Sequence, residues 1–459
     1  MRAYLSCMKQ TVMKRLNLET LFSLGYQSDY PQRQLLTGYL VYSLLGTLLL
    51  SLPFCHRGGA SIVDNLFSAV SALSTTGLST IDVSSCYTFW GQLVILMLIQ
   101  LGGLGYMTFS SYVMLRLTRH LGTNEAKMFH AQFSFPDKMQ SDSMLGNIVN
   151  FSLAFEFAGI VLLYPYFLLH HVESPLWSAV FHSVSAFCTA GFSIYSDNLM
   201  QFQTDWYVNI VIATLSYMGA MGFIMMTDVL RKFRRPNYKI SFTTKVIAVI
   251  TTGLTLWSTL HLFFREPALQ TLSVPDRMLA AWFHSMSAIT TVGFNTIDTS
   301  SVCAVTMLVL SFSMYIGASP SGTGGGLKST TLSALFAYTK NKLGLRKEIS
   351  LAGNKVPAYR VDAALTTAVF YTSILAAGIY LLTLFEGDGQ RFLDIVFEAT
   401  SALATAGLSS GVLSSICVSS KLVLIVLMFI GRVGVITLGN VMLVRAHVQE
   451  AKRRSDLVV

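Results

Sequence analysis

Four short segments of this 459-residue chain carry the same residues at the same spacing. They read NLFSAVSALSTTGLS from Asn65, AVFHSVSAFCTAGFS from Ala179, AWFHSMSAITTVGFN from Ala281 and IVFEATSALATAGLS from Ile395. Phe67, Phe181, Phe283 and Phe397 each stand ten residues before a glycine, with Ser six, Ala five and Thr two before it. The segments end in Thr75, Thr76 and Gly77; in Thr189, Ala190 and Gly191; in Thr291, Val292 and Gly293; and in Thr405, Ala406 and Gly407. Such self-similarity marks an internal repeat. Glycine adopts positive φ freely, so a T-x-G turn can direct successive carbonyls toward one axis. Rings of backbone carbonyls replace the water shell of a cation entering a low-dielectric passage. The threonine can add a hydroxyl or hold the turn. No carboxylate ring accompanies the glycines, which points to selection by backbone dipoles. Close helix packing alone would account for one or two such glycines, not for four at one place.

Long apolar runs flank each segment, among them Leu35 to Phe54, Leu93 to Leu115 and Leu422 to Val444. Each is near the roughly 20 residues a helix needs to cross a bilayer. The stretch from Phe to Thr makes only about 12 Å of helix. It is therefore expected to be a re-entrant half-helix, with its partially negative C-terminus aimed at the loop. Non-helical backbone at membrane depth must be buried in protein or line a water-filled cavity. The expected fold is an all-α membrane protein of four helix–pore-loop–helix repeats, eight transmembrane helices in all, around a pseudo-four-fold pore.

Composition agrees: 53% of residues are hydrophobic and 12% charged, where a soluble domain carries about a quarter charged. The formal charge of +9 does not indicate nucleic acid, because 25 of the 32 Lys and Arg fall in five segments. These are the N-terminus, 116–145, 231–245, 339–360 and the tail from Arg445, alternating with connections whose basic residues are chiefly Arg57, Arg265, Arg277, Arg391 and Lys421. That alternation puts both termini in the cytoplasm, where the basic loops can meet anionic membrane lipid or an acidic partner. No cleaved signal peptide is expected. The six cysteines show no metal spacing, and Cys86, Cys303 and Cys417 stand at similar places in three repeats. No metal motif or nucleophile elbow supports an enzyme, and a structural or receptor role leaves the four-fold repeat unexplained.

Residues 317–326 hold five glycines, Gly317, Gly322, Gly324, Gly325 and Gly326, together with Pro320 and three Ser/Thr, inside an expected span. Such density unwinds a helix, whereas the equivalent helices of the other repeats are expected to run on unbroken. The exposed backbone should face the pore below the T-x-G loops as a flexible plug. The run mimics phosphate-binding and dinucleotide-binding motifs, but Leu327 replaces a required glycine in both, and no strand precedes it. Lys328 and Arg432 are costly in a membrane and are functional candidates. Glu156, near mid-membrane, reads either as an ion-pathway acid or, better, as a buried acceptor for backbone N–H groups and hydroxyls. Asp64 and Glu398 are placed to cap or brace the half-helices, His182 and His284 to make packing or polar contacts. His170 and His171 adjoin a span end.

The whole pattern resembles the translocating subunit of Trk/Ktr-type potassium uptake systems, and is closest to the Ktr branch. The resemblance covers about residues 34 to 445 and includes the T-x-G loops, GASPSGTGGGLKSTT from Gly317 and GRVG from Gly431. It departs at Ala318 and Ser321, where the family usually has glycine. It implies potassium uptake through a four-glycine filter, with Na+ as a candidate stimulating ion; a sodium or non-selective monovalent cation transporter is the alternative. Some sodium-selecting relatives carry serine at the first filter glycine, which here is Gly77. The resemblance also implies gating by the 317–331 loop with Arg432 beside it. It implies a homodimer, a separate cytoplasmic ring of nucleotide-binding regulatory subunits, a bacterial inner membrane and no bound cofactor beyond the ion. The domains read as a cytoplasmic segment 1–33, repeat 34–120, loop 121–145, repeat 146–232, repeat 233–338, loop 339–360, repeat 361–445 and tail 446–459.

Overall fold

The structure is a computed structural model that describes residues 31–105, 141–345, 348–435 and 437–438. The segment 1–30, most of the 121–145 loop with the end of the first repeat, and the tail lie outside the described residues.

Four times an apolar helix leads into a buried one and then into another apolar helix; only in the second quarter are both flanking helices long. The first quarter comprises α1 (Pro31–Leu50), α2 (Ile62–Leu73), the single turn α3 (Val83–Cys86) and α4 (Phe89–Leu104). The second comprises α5 (Ser141–Leu169), α6 (Pro175–Phe187) and α7 (Trp206–Arg234). The third comprises α8 (Phe242–Arg265), α9 (Val274–Thr290), α10 (Ala304–Ile316) and α11 (Ser329–Leu343). A two-residue hairpin follows, β1 (Ser350–Leu351) with β2 (Asn354–Lys355), before α12 (Ala358–Glu386), α13 (Phe392–Leu403) and α14 (Val418–Val433) complete the fourth.

Local signals explain the helix starts. Ser61 accepts from Asp64 N while Asp64 returns the bond, a capping box opening α2. Thr88, Asp205, Ser241 and Ser273 cap α4, α7, α8 and α9 through their side-chain oxygens. Pro175 and Pro275 occupy first-turn positions that need no N–H. Cys303 and Cys417 are the N-cap residues of α10 and α14, but Cys86 sits two residues before the cap Thr88, so the three cysteines are not fully equivalent.

Among the described residues, four helices are long and apolar enough to cross a membrane: Gly146–Leu169, Trp206–Arg234, Phe242–Arg265 and Ala358–Glu386. Others, including Gln34–Leu50, Phe89–Leu104 and Ala304–Ile316, are apolar but shorter. Large apolar side chains such as Leu48, Phe157, Val249, Phe264 and Val369 point outward, as a lipid-facing surface requires. The short helices are the inside of the molecule: Phe67, Phe181, Phe283 and Phe397 are all fully buried.

The quarters interlock around a ring. The last long helix of each packs on the short helix of the next: α4 on α6, α7 on α9, α10 on α13, and α14 back on α2. The closing contact carries an ion pair. Asp64 Oδ1 accepts from Lys421 Nζ at 2.8 Å and from Thr80 Oγ1 at 2.7 Å, and Oδ2 from Ser61 Oγ at 2.7 Å. The paired side chains are only 10% and 14% exposed. Removing one partner from a largely buried pair costs about 3 kcal/mol. Lys421→Met should therefore lower the melting temperature of the purified protein, and the double swap Asp64→Lys, Lys421→Asp should restore part of it. An unchanged melting temperature in the single variant would deny the strap.

Candidate functional site

Each short helix ends in the same turn. The threonine of T-x-G is left-handed in all four: φ is 53° at Thr75, 52° at Thr189, 55° at Thr291 and 46° at Thr405. The glycine two residues on also has positive φ: 96° at Gly77, 64° at Gly191, 85° at Gly293 and 82° at Gly407. Between them the middle residue donates its N–H to the serine carbonyl five residues back. Thr76 reaches Ser71 at 2.8 Å, Ala190 reaches Ser185 at 2.8 Å, Val292 reaches Ser287 at 3.1 Å and Ala406 reaches Ser401 at 2.8 Å. This is a six-to-one helix stop of the Schellman type, with threonine where glycine is usual. A left-handed non-glycine residue is strained by about 1–2 kcal/mol, and such strain persists where the surroundings over-determine it. In the first two loops a serine side chain adds a bond: Gly77 N donates to Ser71 Oγ at 3.1 Å, and Ser185 Oγ donates to Phe192 O at 2.8 Å.

The four turns meet, backbone against backbone. A methyl group on Gly77 would strike the Ala190 carbonyl, one on Gly191 the Val292 carbonyl, and one on Gly407 the Thr76 carbonyl. On Gly293 it would lie 2.5 Å from Ala406 O and 2.8 Å from Gly407 Cα. The contacts run from each loop to the next and close on the first. No side chain fits between them, so peptide groups line the centre and the four short helices aim their partially negative C-termini at it.

The 317–328 segment packs against this ring. Helix α10 ends at Gly317 (φ 66°, ψ −156°) and α11 begins only at Ser329, so the loop stops short of residue 331. Ser319 Oγ donates to Ala220 O at 2.9 Å and Met221 O at 2.5 Å, and Thr323 N donates to Gly219 O at 3.0 Å, docking the loop on α7. It also touches the threonines of the ring. Thr189 Oγ1 bonds Thr323 Oγ1 at 3.0 Å, and Gly325 N donates to Thr291 Oγ1 at 2.8 Å. A methyl group on Gly324 would meet Thr290 O at 2.6 Å, and one on Gly325 would strike Ala404 O and Thr405 Oγ1. Lys328 curls back onto its own loop, with Nζ 2.5 Å from Gly324 O and 3.3 Å from Gly325 O. Arg432 donates to Thr323 O at 2.5 Å and, through its other nitrogen, to Gly102 O, so one guanidinium ties the loop to the first and fourth quarters. Ser321 has φ 63°.

The expectation that the other last helices run on unbroken is corrected. Helix α4 stops at Gly105 (φ 78°), α14 stops at Gly434 (φ 91°), and α7 has a non-helical step at Gly222 (φ 72°, ψ 169°). Three residues before each break stands a glycine pressed against a short-helix end: Gly102 on Leu73 O, Gly219 on Phe187 O and Gly431 on Leu403 O. A Cβ there could not be accommodated, so glycine serves first for close approach and then for the positive φ. The repeated G-x-x-G at 102–105, 219–222 and 431–434 is the signal that would have revealed it; in the third quarter Pro320 stands three residues after Gly317.

The remaining polar candidates are structural acceptors and braces. Glu156 is buried and accepts from the Gln100 side-chain amide at 3.0 and 3.1 Å, not from the backbone N–H groups and hydroxyls expected of it. His182 Nε2 bonds Ser193 Oγ at 2.9 Å, while His284 Nε2 is buried without a partner. His170 Nδ1 lies 2.9 Å from Tyr166 O. Glu398 lies inside α13 rather than at its edge and accepts from Ser409 and Ser410 just past Gly407. Among the described residues no cluster of His, Cys, Asp and Glu could hold a metal ion.

Comparison with known proteins bears on this geometry. The sequence profile of the TrkH family, described as cation transport protein, matches residues 39–452. The chain is 32% identical to the Ktr system potassium uptake protein B of Vibrio alginolyticus, over 93% of this chain and 94% of that one. It is 29% identical to the potassium/sodium uptake protein NtpJ of Enterococcus hirae, over 97% of both. In structure it is similar to the potassium transporter TrkH of Vibrio parahaemolyticus, with a TM-score of 0.74 at 20% identity, over 91% of this chain and 85% of that one.

The ring makes a contrast testable in one assay. Gly293→Ala places a Cβ at φ 85° against two backbone atoms that cannot yield, so it should lower the melting temperature. Gly253→Ala, in α8 with nothing within 4 Å of its Cβ, should leave it level or raise it, worth about 0.5–1 kcal/mol of helix propensity. Equal responses would mean that the glycine contacts do not hold the ring.

Proposed function

The chain belongs to the TrkH cation-transport family, and from that premise we propose that it takes up potassium ions through the four T-x-G loops. The observation that carries this is the closed ring of backbone, with positive φ at threonine and glycine in every loop. Positive φ at the first and third residues of each loop breaks the opposed alternation of an ordinary extended backbone and lets neighbouring carbonyls face one side. A dehydrated cation then exchanges water for carbonyl oxygens, helped by four converging helix C-termini. Two relatives are named for potassium uptake and a third for potassium and sodium, which supports potassium as cargo and keeps sodium as the second reading.

In this reading the short helices are pore helices and the flanking ones make eight spans, three of them shortened by the glycine breaks. The basic ends of α7 and α11, with Arg231, Lys232, Arg234, Lys340 and Lys342 in their last turns, face the cytoplasm of a bacterial cell. There they meet lipid and a ring of nucleotide-binding regulatory subunits; the relatives' printed name, a Ktr system, supports a multi-component assembly. The transporting subunit works as a homodimer, and Na+ stimulates it.

The 317–328 loop is the gate. It lies across the path below the ring, and Arg432 both latches it and repels the ion. Hydrogen bonds to a charged group contribute about 1.5–3 kcal/mol, and each 1.4 kcal/mol is tenfold in an equilibrium. Arg432→Ala should therefore raise the open fraction by about ten- to a hundredfold. The test is ⁸⁶Rb+ uptake into proteoliposomes. Arg432→Ala and deletion of Gly324 to Gly326 should raise uptake, and unchanged flux in both would remove the gate assignment. Gly77→Ser and Gly293→Ser should lower uptake or admit Na+. Flux indifferent to both serines would place the ion path elsewhere.

A further inference from the structure

The residue nine before the glycine of each T-x-G is Ser68, His182, His284 and Glu398 in turn. All four are buried on their short helices, and the last three differ in what they reach. In the second quarter His182 Nε2 lies 2.9 Å from Ser193 Oγ, two residues past Gly191. In the fourth, Glu398 Oε1 accepts from Ser409 Oγ and Ser410 N at 2.7 Å, two and three residues past Gly407. In the first, the corresponding bond comes from Asp64, four residues before Ser68: its Oδ1 accepts from Thr80 Oγ1, three residues past Gly77, at 2.7 Å. In the third, His284 Nε2 is buried without a partner. Asn295 stands where Ser193 and Ser409 do, but turns its amide to Ile297 O at 2.9 Å. The outgoing limbs of loops one, two and four are thus held from behind by a side chain of their own short helix, and among the described residues that of loop three is not.

Loop three leans on loop two instead. Leu199 N donates to Asn295 O at 3.1 Å, and Asn295 N to Asn198 Oδ1 at 3.4 Å. Asn198, at φ 60°, also donates through Nδ2 to the carbonyl of Gly191 at 3.4 Å. Ser193 Oγ lies 3.2 Å from the Asn198 carbonyl and accepts from Tyr195 N at 3.0 Å. The His182 ring stacks on Tyr195, with centroids 4.7 Å apart. One network therefore joins His182 to a carbonyl of loop two and to the backbone of loop three.

We propose that His182 and Glu398 are positioning residues for ion selection, and that His284, at the same place in the repeat, is not. The inference rests on the reading of the four loops as the ion path. A ring of carbonyls discriminates between ions by its spacing or by the number and field of its dipoles. Both depend on what holds each loop from behind, so a brace can move the preference without touching the ion.

The test is uptake of ⁸⁶Rb+ and of ²²Na+ into proteoliposomes, each alone against choline, with the ratio of the two as readout. His182→Leu and Ser193→Ala should each lower the Rb+/Na+ ratio about fivefold, as loss of one hydrogen bond allows. Together they should lower it no further, because they cut the same bond. Glu398→Leu should act likewise, and Glu398→Gln, which keeps an acceptor for Ser409 and Ser410, should restore the ratio. His284→Leu should leave it level. The same ranking is expected in the K+-dependent rise in melting temperature of the purified protein in choline buffer, which needs no flux. Ser193→Ala carries the test if His182→Leu does not fold. A preference unchanged by Ser193→Ala and Glu398→Leu overturns the proposal. So does a loss in His284→Leu equal to that in His182→Leu, since packing of the short helix would then be the cause. A wild type with neither uptake nor a K+-dependent rise removes the ion-path reading itself and this inference with it; a wild type with either, and variants that match it, removes the inference alone.

Discussion

The bond from the middle residue of each T-x-G back to a serine carbonyl recurs four times at 2.8–3.1 Å. It stops a buried helix where no water is at hand to satisfy its end. Backbone polar groups cannot be left unpaired in an apolar interior, so the stop must be made locally, and it forces the threonine into the left-handed region. The strain is held by what surrounds it: a short helix buried on every side, a glycine from the next loop, and a glycine from the following long helix pressed on the helix end in three of the four quarters. Loosen any of these and the close contacts among the four turns are lost.

The third quarter shows the same constraint solved differently. Its last helix breaks at Gly317, and the freed backbone is satisfied by the other quarters: α7 through Ser319 and Thr323, the ring threonines through Thr323 and Gly325, and Arg432 through the Thr323 carbonyl. The loop is therefore not a loose insertion. It is a packed segment, bonded to the other quarters and also to itself, through Lys328 Nζ on the Gly324 and Gly325 carbonyls and Ala318 N on the Gly325 carbonyl. Neutral hydrogen bonds contribute about 1 kcal/mol each, so the docking is individually modest and collectively firm.

Much of this was legible in the sequence, because repetition within one chain substitutes for comparison between chains. Phe, Ser, Ala, Thr and Gly recur in register, and the structure gives each a job: core anchor, carbonyl acceptor, close packing, left-handed stop and backbone contact. The second glycine pattern escaped notice since its distance from the threonine varies: 27 residues in the first quarter, 30 in the second and 26 in the fourth. Sequence spacing survives only where both ends lie on one rigid element, and here a variable loop intervenes. The left-handed threonines were also invisible, as nothing in a β-branched residue advertises positive φ. Lys328 stands out in the sequence as a membrane-embedded cation, but its partners are its own loop's carbonyls, which only folding brings within reach.

The way α14 closes on α2 has a consequence for how the protein is made. Lys421 and Asp64 are 357 residues apart in sequence, and contacts so distant form late, after the intervening chain has found its place. While the ribosome works, the first quarter's short helix must wait beside an unfilled gap until the last helix emerges. A chain released before α14 would keep α2 uncovered on one flank, with Asp64 missing its cation. Integrity of the ring is thus inspected only once α14 has arrived to close it.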